Sequence, residues 1–457
     1  MARESAIAVM ALPLTHLGAK VKPRAELARP ALAPTDGYGL RRAMVVFARI
    51  VTTLLLITAG VAGAWADTPD RGRIEKDFQA WLVADVWPEA KAAGVSRATF
   101  DRALAGVTLD WTMPELEPPG LPVKPPSIEW QTEFGNPGNY FNERRLESLV
   151  NLGRARLDQL RKTLAAISDR YGVPAGILVA IWAKESGFGQ AALPELALRA
   201  LATQAFMGYR KDVFRPELIA ALQIIENGDV APDRMRSSWA GALGQPQFLP
   251  SLFRKYAVDF DHDGRRDIWG SAPDSLASMA NYLKGEGWKP DRGWGLEAKV
   301  PPDVSCTLEG PEQGKPMAEW ARLGVKQADG GSLPVKGQRL GYLLMPAGRF
   351  GPAFVVTENF YVLKQYNNSD LYALYVAHLA DRFTQDKPFM GTWQAVGSFS
   401  RGDVKGMQEA LVAEGYDVGA VDGLVGFKTR IAVGLWQVKK GQAPTCFPDA
   451  RLVHNIH

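Results

Sequence analysis

Pro174–Gln190 reads PAGILVAIWAKESGFGQ, and the rest of the chain is organised around this stretch. Its apolar residues follow one another with little polar interruption, which predicts a helix buried on all sides. Pro174 suits the first turn of that helix, and Gly187 and Gly189 suit its end. Glu185 falls in the last turn on an apolar face, so its carboxylate should lose hydration and its pKa should rise. Such an acid can donate a proton near neutral pH; the alternative is a Glu185 that only pairs with a cation.

The composition is that of a soluble globular protein of two or three domains, with 457 residues, 46% hydrophobic and 22% charged. The formal net charge of +4 comes from residues 1–66, and the remainder is close to neutral. No basic surface is therefore left to argue for nucleic acid. Cys306 and Cys446 lack metal-type spacing, and either one disulfide or a free pair of thiols fits them.

The segment from Met44 reads MVVFARIVTTLLLITAGVAGAWA and is typical of a secretory signal peptide cleaved after Ala66. An uncleaved membrane anchor is the alternative, although the apolar run is short for a span. Met1 and Met44 are both candidate starts. We expect a periplasmic protein of a Gram-negative bacterium that is not a lipoprotein, because no cysteine lies near the cleavage site.

Apolar spacing predicts helices over residues 70–112, 142–171 and 193–225. Strand patterns are few and lie at residues 342–344 and 354–356. The main body is therefore expected to be mostly α-helical.

The loop at residues 259–267 reads DFDHDGRRD and matches the first half of an EF-hand, with Gly264 at the sharp turn. The match fails at the last ligand position, which is Gly270. Calcium is favoured over a metal-free acidic turn because clustered carboxylates repel one another unless a cation neutralises them. The predicted ligands are Asp259, Asp261, Asp263, the backbone carbonyl of Arg265, Asp267 and Asp274.

The C-terminal part begins after a linker at residues 384–392. Residues 395–443 then show two amphipathic helices around the turn-rich sequence GYDVGAVDGLVG. About fifty residues can form a small domain, so we expect an independently folded unit here.

Several stretches occur in the order found in a known family: ESGFG, AGALGQPQFLPS, DFDHDGRRDIW, MANYLKGEGW and NFYVLKQYN. Through them the region from Phe78 to Phe383 resembles MltB-type lytic murein transglycosylases of glycoside hydrolase family 103. Residues 395–443 resemble the type 1 peptidoglycan-binding module, through VKGMQEALVAEGYDVGAVDGLVGFKTRIAVGLWQ.

The resemblance implies a mainly α (α+β) protein: a lysozyme-like catalytic domain with extra helical and small β elements, and a small three-helix C-terminal module. The implied division is an N-terminal extension and signal peptide over 1–66, a catalytic domain over 67–385 and a peptidoglycan-binding domain over 395–457.

The resemblance also implies an activity, the cleavage of the MurNAc-β-1,4-GlcNAc bond of peptidoglycan without hydrolysis, forming 1,6-anhydromuramyl ends. Glu185 falls at the single catalytic acid and base. No catalytic cofactor is implied, only structural Ca²⁺. The implied partners are peptidoglycan glycan strands and proteins of cell-wall synthesis or division, with the chain itself a monomer. The positions that line the implied muropeptide groove are Ser238, Gln247, Tyr282, Tyr361, Tyr366 and Asn367.

Two alternatives remain at this point. A hydrolytic muramidase would pair Glu185 with a second carboxylate, such as Glu195 or Glu226, and would release products one water heavier. A non-catalytic wall-binding or calcium-binding scaffold would release no soluble products.

Overall fold

The structure, a computed structural model, describes residues 70–121, 137–335 and 339–456. The predicted signal peptide lies outside these residues. About half of the chain is helical, and the strands form one small sheet and a two-residue pair. The helices are α1 (Arg71–Trp81), α2 (Trp87–Ala92), α3 (Arg97–Leu104), α4 (Glu143–Gln159), α5 (Arg161–Tyr171), α6 (Ala175–Ser186), α7 (Ala197–Met207), α8 (Lys211–Glu226), α9 (Pro250–Tyr256), α10 (Ala272–Gly285), α11 (Met317–Arg322), α12 (Glu358–Tyr366), α13 (Asp370–Arg382), α14 (Arg401–Ala413), α15 (Phe427–Lys439) and α16 (Ala450–Asn455). The strands are β1 (Glu195–Leu196), β2 (Arg236–Ser237), β3 (Gly295–Lys299), β4 (Lys315–Pro316), β5 (Lys326–Gln327), β6 (Leu340–Leu344) and β7 (Ala353–Val356).

The predicted helices are present, but their ends differ from the prediction. The single helix expected over residues 142–171 is two helices, because the backbone leaves the helical region at Leu160, between α4 and α5. The helix expected over 193–225 is likewise divided, at Gly208–Arg210 between α7 and α8. Amphipathic spacing continues across both breaks, so periodicity alone does not locate them.

Helix α6 is the centre of the main hydrophobic core. Its residues from Ile177 to Ala183 are all buried, as the uninterrupted apolar sequence predicts. The helix packs against α4, α5, α10 and α13. Because it is surrounded on every side, its last turn is held in a fixed position.

The larger sheet has five strands in the order β4-β6-β7-β3-β5, and neighbouring strands are antiparallel. All four residues of the central strand β7 are buried. Successive side chains of a strand point to opposite faces. Accordingly, Phe354 and Val356 join the main core, whereas Ala353 and Val355 join a second core with Trp320. The sheet therefore separates two cores, and the predicted strands at 342–344 and 354–356 are confirmed.

The last three helices, α14 to α16, share a third core that includes Leu411, Val433 and Trp436. The segment before them also packs on the body, because Trp393 stacks on Phe141 with ring centroids 5.2 Å apart. The segment that leads into the C-terminal helices is therefore packed against the main core.

A disulfide and a buried ion cluster join the C-terminal helices to the rest of the chain. Cys446 is bonded to Cys306, 140 residues earlier, which resolves the alternative left open by the sequence. Arg430 of α15 donates to both carboxylate oxygens of Glu309 and to Asp370 of α13. Arg430 and Glu309 are both buried.

No single helix among the described residues is long and apolar enough to cross a bilayer. Helices α5 and α6 meet that criterion only as a pair, across a bend of 109°.

Candidate active site

Glu185 lies in the last turn of α6 and is 3% exposed. Its Oε1 accepts a hydrogen bond from the hydroxyl of Tyr372, on α13. Its Oε2 is buried and has no hydrogen-bond partner. The partner of Glu185 is thus a neutral phenol, and one carboxylate oxygen is left without a hydrogen bond within the protein. The neighbouring Lys184 ammonium lies over the rings of Tyr140 and Tyr375, at 4.4 and 4.8 Å from their centroids.

Burial raises the pKa of Glu185 to about 7, and the Tyr372 hydroxyl and the Lys184 charge offset part of that rise. The acid is therefore close to half protonated at neutral pH, as a general acid requires. Two other glutamates are buried among the described residues, Glu217 and Glu309. Both oxygens of each accept hydrogen bonds within the protein. Only Glu185 of these three combines burial with an unpartnered oxygen.

The chain reverses direction immediately after Glu185. Gly187, Phe188 and Gly189 all have positive φ, which is costly for Phe188. A Cβ at Gly189 would lie 2.6 Å from Oε1 of Gln245. That oxygen accepts from Trp182 Nε1 at 2.7 Å, and the Gln245 amide donates to the Trp269 carbonyl at 2.9 Å. Gln245 thus links helix α6 to the loop that contains Trp269.

A cavity of about 260 Å³ opens beside this reversal. The residues that line it include Ser186, Gly189 and Gln245, and also Arg234, Arg236 and Trp269. Glu185 itself is not among the lining residues; the cavity begins at the residue that follows it. A ligand in this cavity would lie next to the last turn of α6.

The structure brings several predicted substrate residues together. Tyr366 interacts electrostatically with Glu185, and its hydroxyl donates to the Pro246 carbonyl at 2.7 Å. Its ring packs against Tyr282 at a centroid distance of 5.2 Å. Burial raises the pKa of both phenols, which keeps them protonated as hydrogen-bond donors.

The side chains of three other predicted substrate residues form hydrogen bonds with nearby backbone groups. Gln247, at a φ of 56°, donates to the Gly244 carbonyl at 2.8 Å. Asn367 accepts from Ser369 N at 3.1 Å, and Ser238 accepts from Ala242 N at 3.3 Å.

Tyr361 lies elsewhere, since its ring packs on Tyr342 and it interacts electrostatically with Asp370 and Glu309. Its position is beside the buried ion cluster rather than against Glu185.

The acidic loop has the shape of a cation site. Ligand oxygens of Asp259, Asp261 and Asp263 lie within 4.8 Å of one another, and Asp259 Oδ1 is buried without a hydrogen-bond partner. Asp274 behaves differently: it is buried and accepts from the backbone N–H groups of residues 260, 261 and 267. Asp267 accepts from the N–H groups of residues 269 and 270. Both carboxylates therefore bind the backbone of the loop, and neither belongs to the group formed by Asp259, Asp261 and Asp263.

The two alternative second carboxylates have contacts of their own. Glu226 accepts from both the N–H and the hydroxyl of Ser96, at the start of α3. Glu195 lies in β1, opposite Ser237. Neither contributes to the pKa of Glu185, which is shifted by burial and by Tyr372 and Lys184.

The sequence did not single out Tyr372. Ser369 caps α13 and accepts from Tyr372 N, a local pattern that places Tyr372 in a first helical turn. No local signal shows that this turn meets a glutamate 187 residues earlier.

Residues 77–381 match the family described as "Transglycosylase SLT domain". The chain is 30% identical over 274 residues to the membrane-bound lytic murein transglycosylase B of Escherichia coli (strain K12), covering 57% of this chain and 70% of that protein. Crystal structures of SltB3 from Pseudomonas aeruginosa are 38% identical and cover 83% of this chain and 99% of theirs. Their TM-scores are 0.74 for the complex with NAG-NAM-pentapeptide and 0.72 for that with NAG-anhNAM-pentapeptide.

The raised pKa predicts that Glu185 lowers stability at alkaline pH. Between the unfolded value near 4.5 and the folded value of about 7, the folded state keeps a proton that the unfolded chain has lost. The free energy of unfolding therefore falls as pH rises through this window. Glu185→Gln does not titrate, so we expect it to exceed the parent protein in stability by roughly 3 kcal/mol at pH 8 and to match it near pH 4.

Denaturant unfolding at both pH values measures the difference, with Glu147→Gln on the exposed face of α4 as the control. An identical pH dependence for Glu185→Gln and the parent protein would contradict the prediction.

Proposed function

This chain belongs to the transglycosylase SLT domain family, and from that premise we propose that Glu185 is the single acid and base of its reaction. The chain is a lytic transglycosylase and needs no catalytic cofactor. The narrower assignment to the MltB type of glycoside hydrolase family 103 is part of the proposal, supported by the ordered motifs and by the likeness to the E. coli enzyme.

The observation that carries the proposal is the state of Glu185: buried, half protonated near neutral pH, and with an Oε2 that forms no hydrogen bond within the protein. In the first step, Oε2 donates its proton to the glycosidic oxygen between MurNAc and GlcNAc, and the bond from C1 to that oxygen breaks. In the second step, the Glu185 carboxylate accepts the proton of the muramyl C6 hydroxyl. The C6 oxygen then bonds to C1 of the same sugar ring. The product is a 1,6-anhydromuramyl end.

A single carboxylate is sufficient for this route because the nucleophile is already part of the substrate. Hydrolysis normally uses two flanking carboxylates, one of them acting on water or on C1. Neither Glu195 nor Glu226 contributes to the pKa of Glu185, and Glu226 is bonded to Ser96 instead. The geometry therefore favours the anhydro product over the hydrolytic alternative.

Tyr372 has a supporting role in the proposed reaction. Its hydrogen bond stabilises the ionised form of Glu185, which must persist long enough to take the C6 proton.

The proposed sugar-binding residues nearest Glu185 are Tyr366 and Tyr282, whose rings form an aromatic wall. Gln247 and Asn367 stand on the same two segments, 245–248 and 366–367, and would supply amide groups to N-acetyl substituents. Ser238 and Tyr361 would contact more distant parts of the strand.

Products released from purified sacculi test the proposal. We expect anhydromuramyl ends, which mass spectrometry separates from free reducing ends by the mass of one water. Glu185→Gln keeps the side-chain shape but cannot act as an acid, so we expect activity to fall by about 10²–10⁴-fold. Glu217→Gln, which changes another buried glutamate, is the control and should retain activity if folded. Reducing ends as the main product, or near-parental activity of Glu185→Gln, would refute the proposal.

We propose a structural calcium ion in the acidic loop, held by Asp259, Asp261 and Asp263 with the Arg265 carbonyl. The support is the close approach of three carboxylates and the orphaned buried oxygen of Asp259. Carboxylate and carbonyl oxygens are the ligands that Ca²⁺ prefers. Asp267 and Asp274 hold the loop backbone and are not included among the ligands.

Calcium binding to the folded state alone should raise its stability by about 2.7 kcal/mol at a hundredfold excess over Kd. We expect the melting temperature of chelator-treated protein to rise on titration with Ca²⁺. Asp261→Asn with Asp263→Asn should abolish the rise, whereas Asp233→Asn, an exposed change outside the loop, should preserve it. A melting temperature that ignores both calcium and chelator would rule the site out.

We propose that the C-terminal helices bind peptidoglycan, on the basis of their resemblance to the type 1 module. Leu435 and Val438 lie three residues apart on α15 and are 45% and 56% exposed. Replacing both with Ser should weaken binding to sacculi while leaving turnover of small soluble muropeptides unchanged, because the folded core is not altered. Sedimentation with sacculi measures binding, and Val83→Ser on the catalytic body is the matched control. Unchanged sedimentation of the α15 variant would exclude this surface.

We propose a periplasmic location in a Gram-negative bacterium, after cleavage near Ala66 and without a lipid anchor. The Cys306–Cys446 disulfide supports an oxidising compartment. N-terminal sequencing of the mature protein would test the cleavage site. The proposed partners are peptidoglycan glycan strands and, in addition, proteins of cell-wall synthesis or division. We propose that the chain itself acts as a monomer.

A further inference from the structure

Arg430 occupies a buried site between three parts of the chain. It is 2% exposed, and its Nη2 donates to Glu309 Oε1 at 2.6 Å and to Asp370 Oδ2 at 2.8 Å. Its Nε donates to Glu309 Oε2 at 3.0 Å. Lys364 of α12 donates to the other oxygen of Asp370, at 2.6 Å. Two cations thus hold the pKa of Asp370 well below its usual range, against the effect of burial.

Asp370 is the first residue of α13, and Tyr372 follows in the same turn. The hydroxyl of Tyr372 donates to Glu185. The N-terminus of α13 therefore carries a fixed connection at Asp370 to the C-terminal helices and another at Tyr372 to the proposed acid. The other end of α13 is held separately, by Arg382 bonded to Glu143 and Asp386.

We infer that Arg430 is a positioning residue for the reaction: it fixes the first turn of α13 so that Tyr372 meets Glu185. The C-terminal helices would then contribute to bond cleavage itself, in addition to any binding of the wall. The inference rests on the proposed role of Glu185.

The cost of burying charge argues against a purely stabilising role for the cluster. Taking ions out of water is expensive, and apolar residues of similar volume often stabilise a fold as well or better. The C-terminal helices are already attached by the disulfide and have a hydrophobic core of their own. The ion cluster adds a fixed geometry, because a guanidinium bonded to two carboxylates fixes their relative positions.

A shift of Tyr372 away from Glu185 would change the pH dependence of kcat/KM. The titratable groups that interact with Glu185 are Lys184 on its own helix, Tyr366 at the end of α12 and Tyr372 on α13. Of these, Tyr372 lowers the pKa of Glu185 through its hydrogen bond. If the first turn of α13 shifts and that bond lengthens, the pKa of Glu185 rises, so the alkaline limb of kcat/KM moves to higher pH.

The test compares Arg430→Lys and Asp370→Asn with the parent protein in the full chain, on a soluble muropeptide. Arg430→Lys keeps the charge but loses the planar fork, and Asp370→Asn keeps the shape but loses the charge. We expect kcat to fall by about threefold to thirtyfold with little change in KM. We also expect the alkaline limb to move up by about 0.5 to 1 pH unit.

Arg382→Lys is the matched control, because Arg382, at the far end of α13, is like Arg430 a buried arginine that bonds two carboxylates. It lies ten residues from Tyr372, about 15 Å along the helix. It should lower the melting temperature without moving the limb. An equal loss of kcat in the Arg382 and Arg430 variants, with unmoved limbs, would show a structural role only and overturn the inference.

A double variant tests whether Arg430 acts on Glu185 through Tyr372. Tyr372→Phe alone should move the limb in the same direction, and adding Arg430→Lys should move it no further if Arg430 acts through Tyr372. Additive shifts would refute that route. Full activity of Glu185→Gln would instead refute the proposed acid, independently of any result at Arg430.

Discussion

The desolvation of Glu185 is the constraint on which the active site depends. A carboxyl group that is 3% exposed keeps its proton up to about pH 7, and its pKa stays raised only where its surroundings cannot rearrange to admit water. The protein meets that condition by making α6 apolar on every side and enclosing it between four helices. One phenol, Tyr372, then adjusts the acid by stabilising its ionised form. The burial that raises the pKa of Glu185 therefore also costs free energy in the folded protein.

Because the buried acid must be enclosed, elements far apart in sequence converge on the last turn of α6. Tyr372 comes from α13, and Gln245, which bonds Trp182, comes from the loop before α9. The sheet contributes indirectly, because β7 places Phe354 and Val356 in the core that contains α6. On the other face of the sheet, a second core holds Cys446 of the C-terminal part. The C-terminal helices are therefore continuous with the framework of the active site.

The sequence predicts this site well where the signal is local. Glu185 in an apolar last turn, the turn glycines and the acidic loop are all visible within short segments, and the structure places them as those segments suggest. The contacts between segments were not predictable in this way. Tyr372 and Arg430 sit in ordinary amphipathic helices, and their importance comes from partners 187 and 121 residues away. Asp274 shows the same limit: its acidic type suggested a metal ligand, whereas its burial turns it toward three backbone N–H groups.

The reversal after α6 shows how firmly the acid is fixed. A run of three residues with positive φ is unfavourable, and Phe188 pays the largest penalty because it has a side chain. Its ring is nevertheless buried and packs edge-on against Trp182, at a centroid distance of 5.7 Å. Gln245 bonds the same Trp182 and leaves no room for a Cβ at Gly189. The strained turn is therefore held from both sides, and it fixes the backbone that directly follows Glu185.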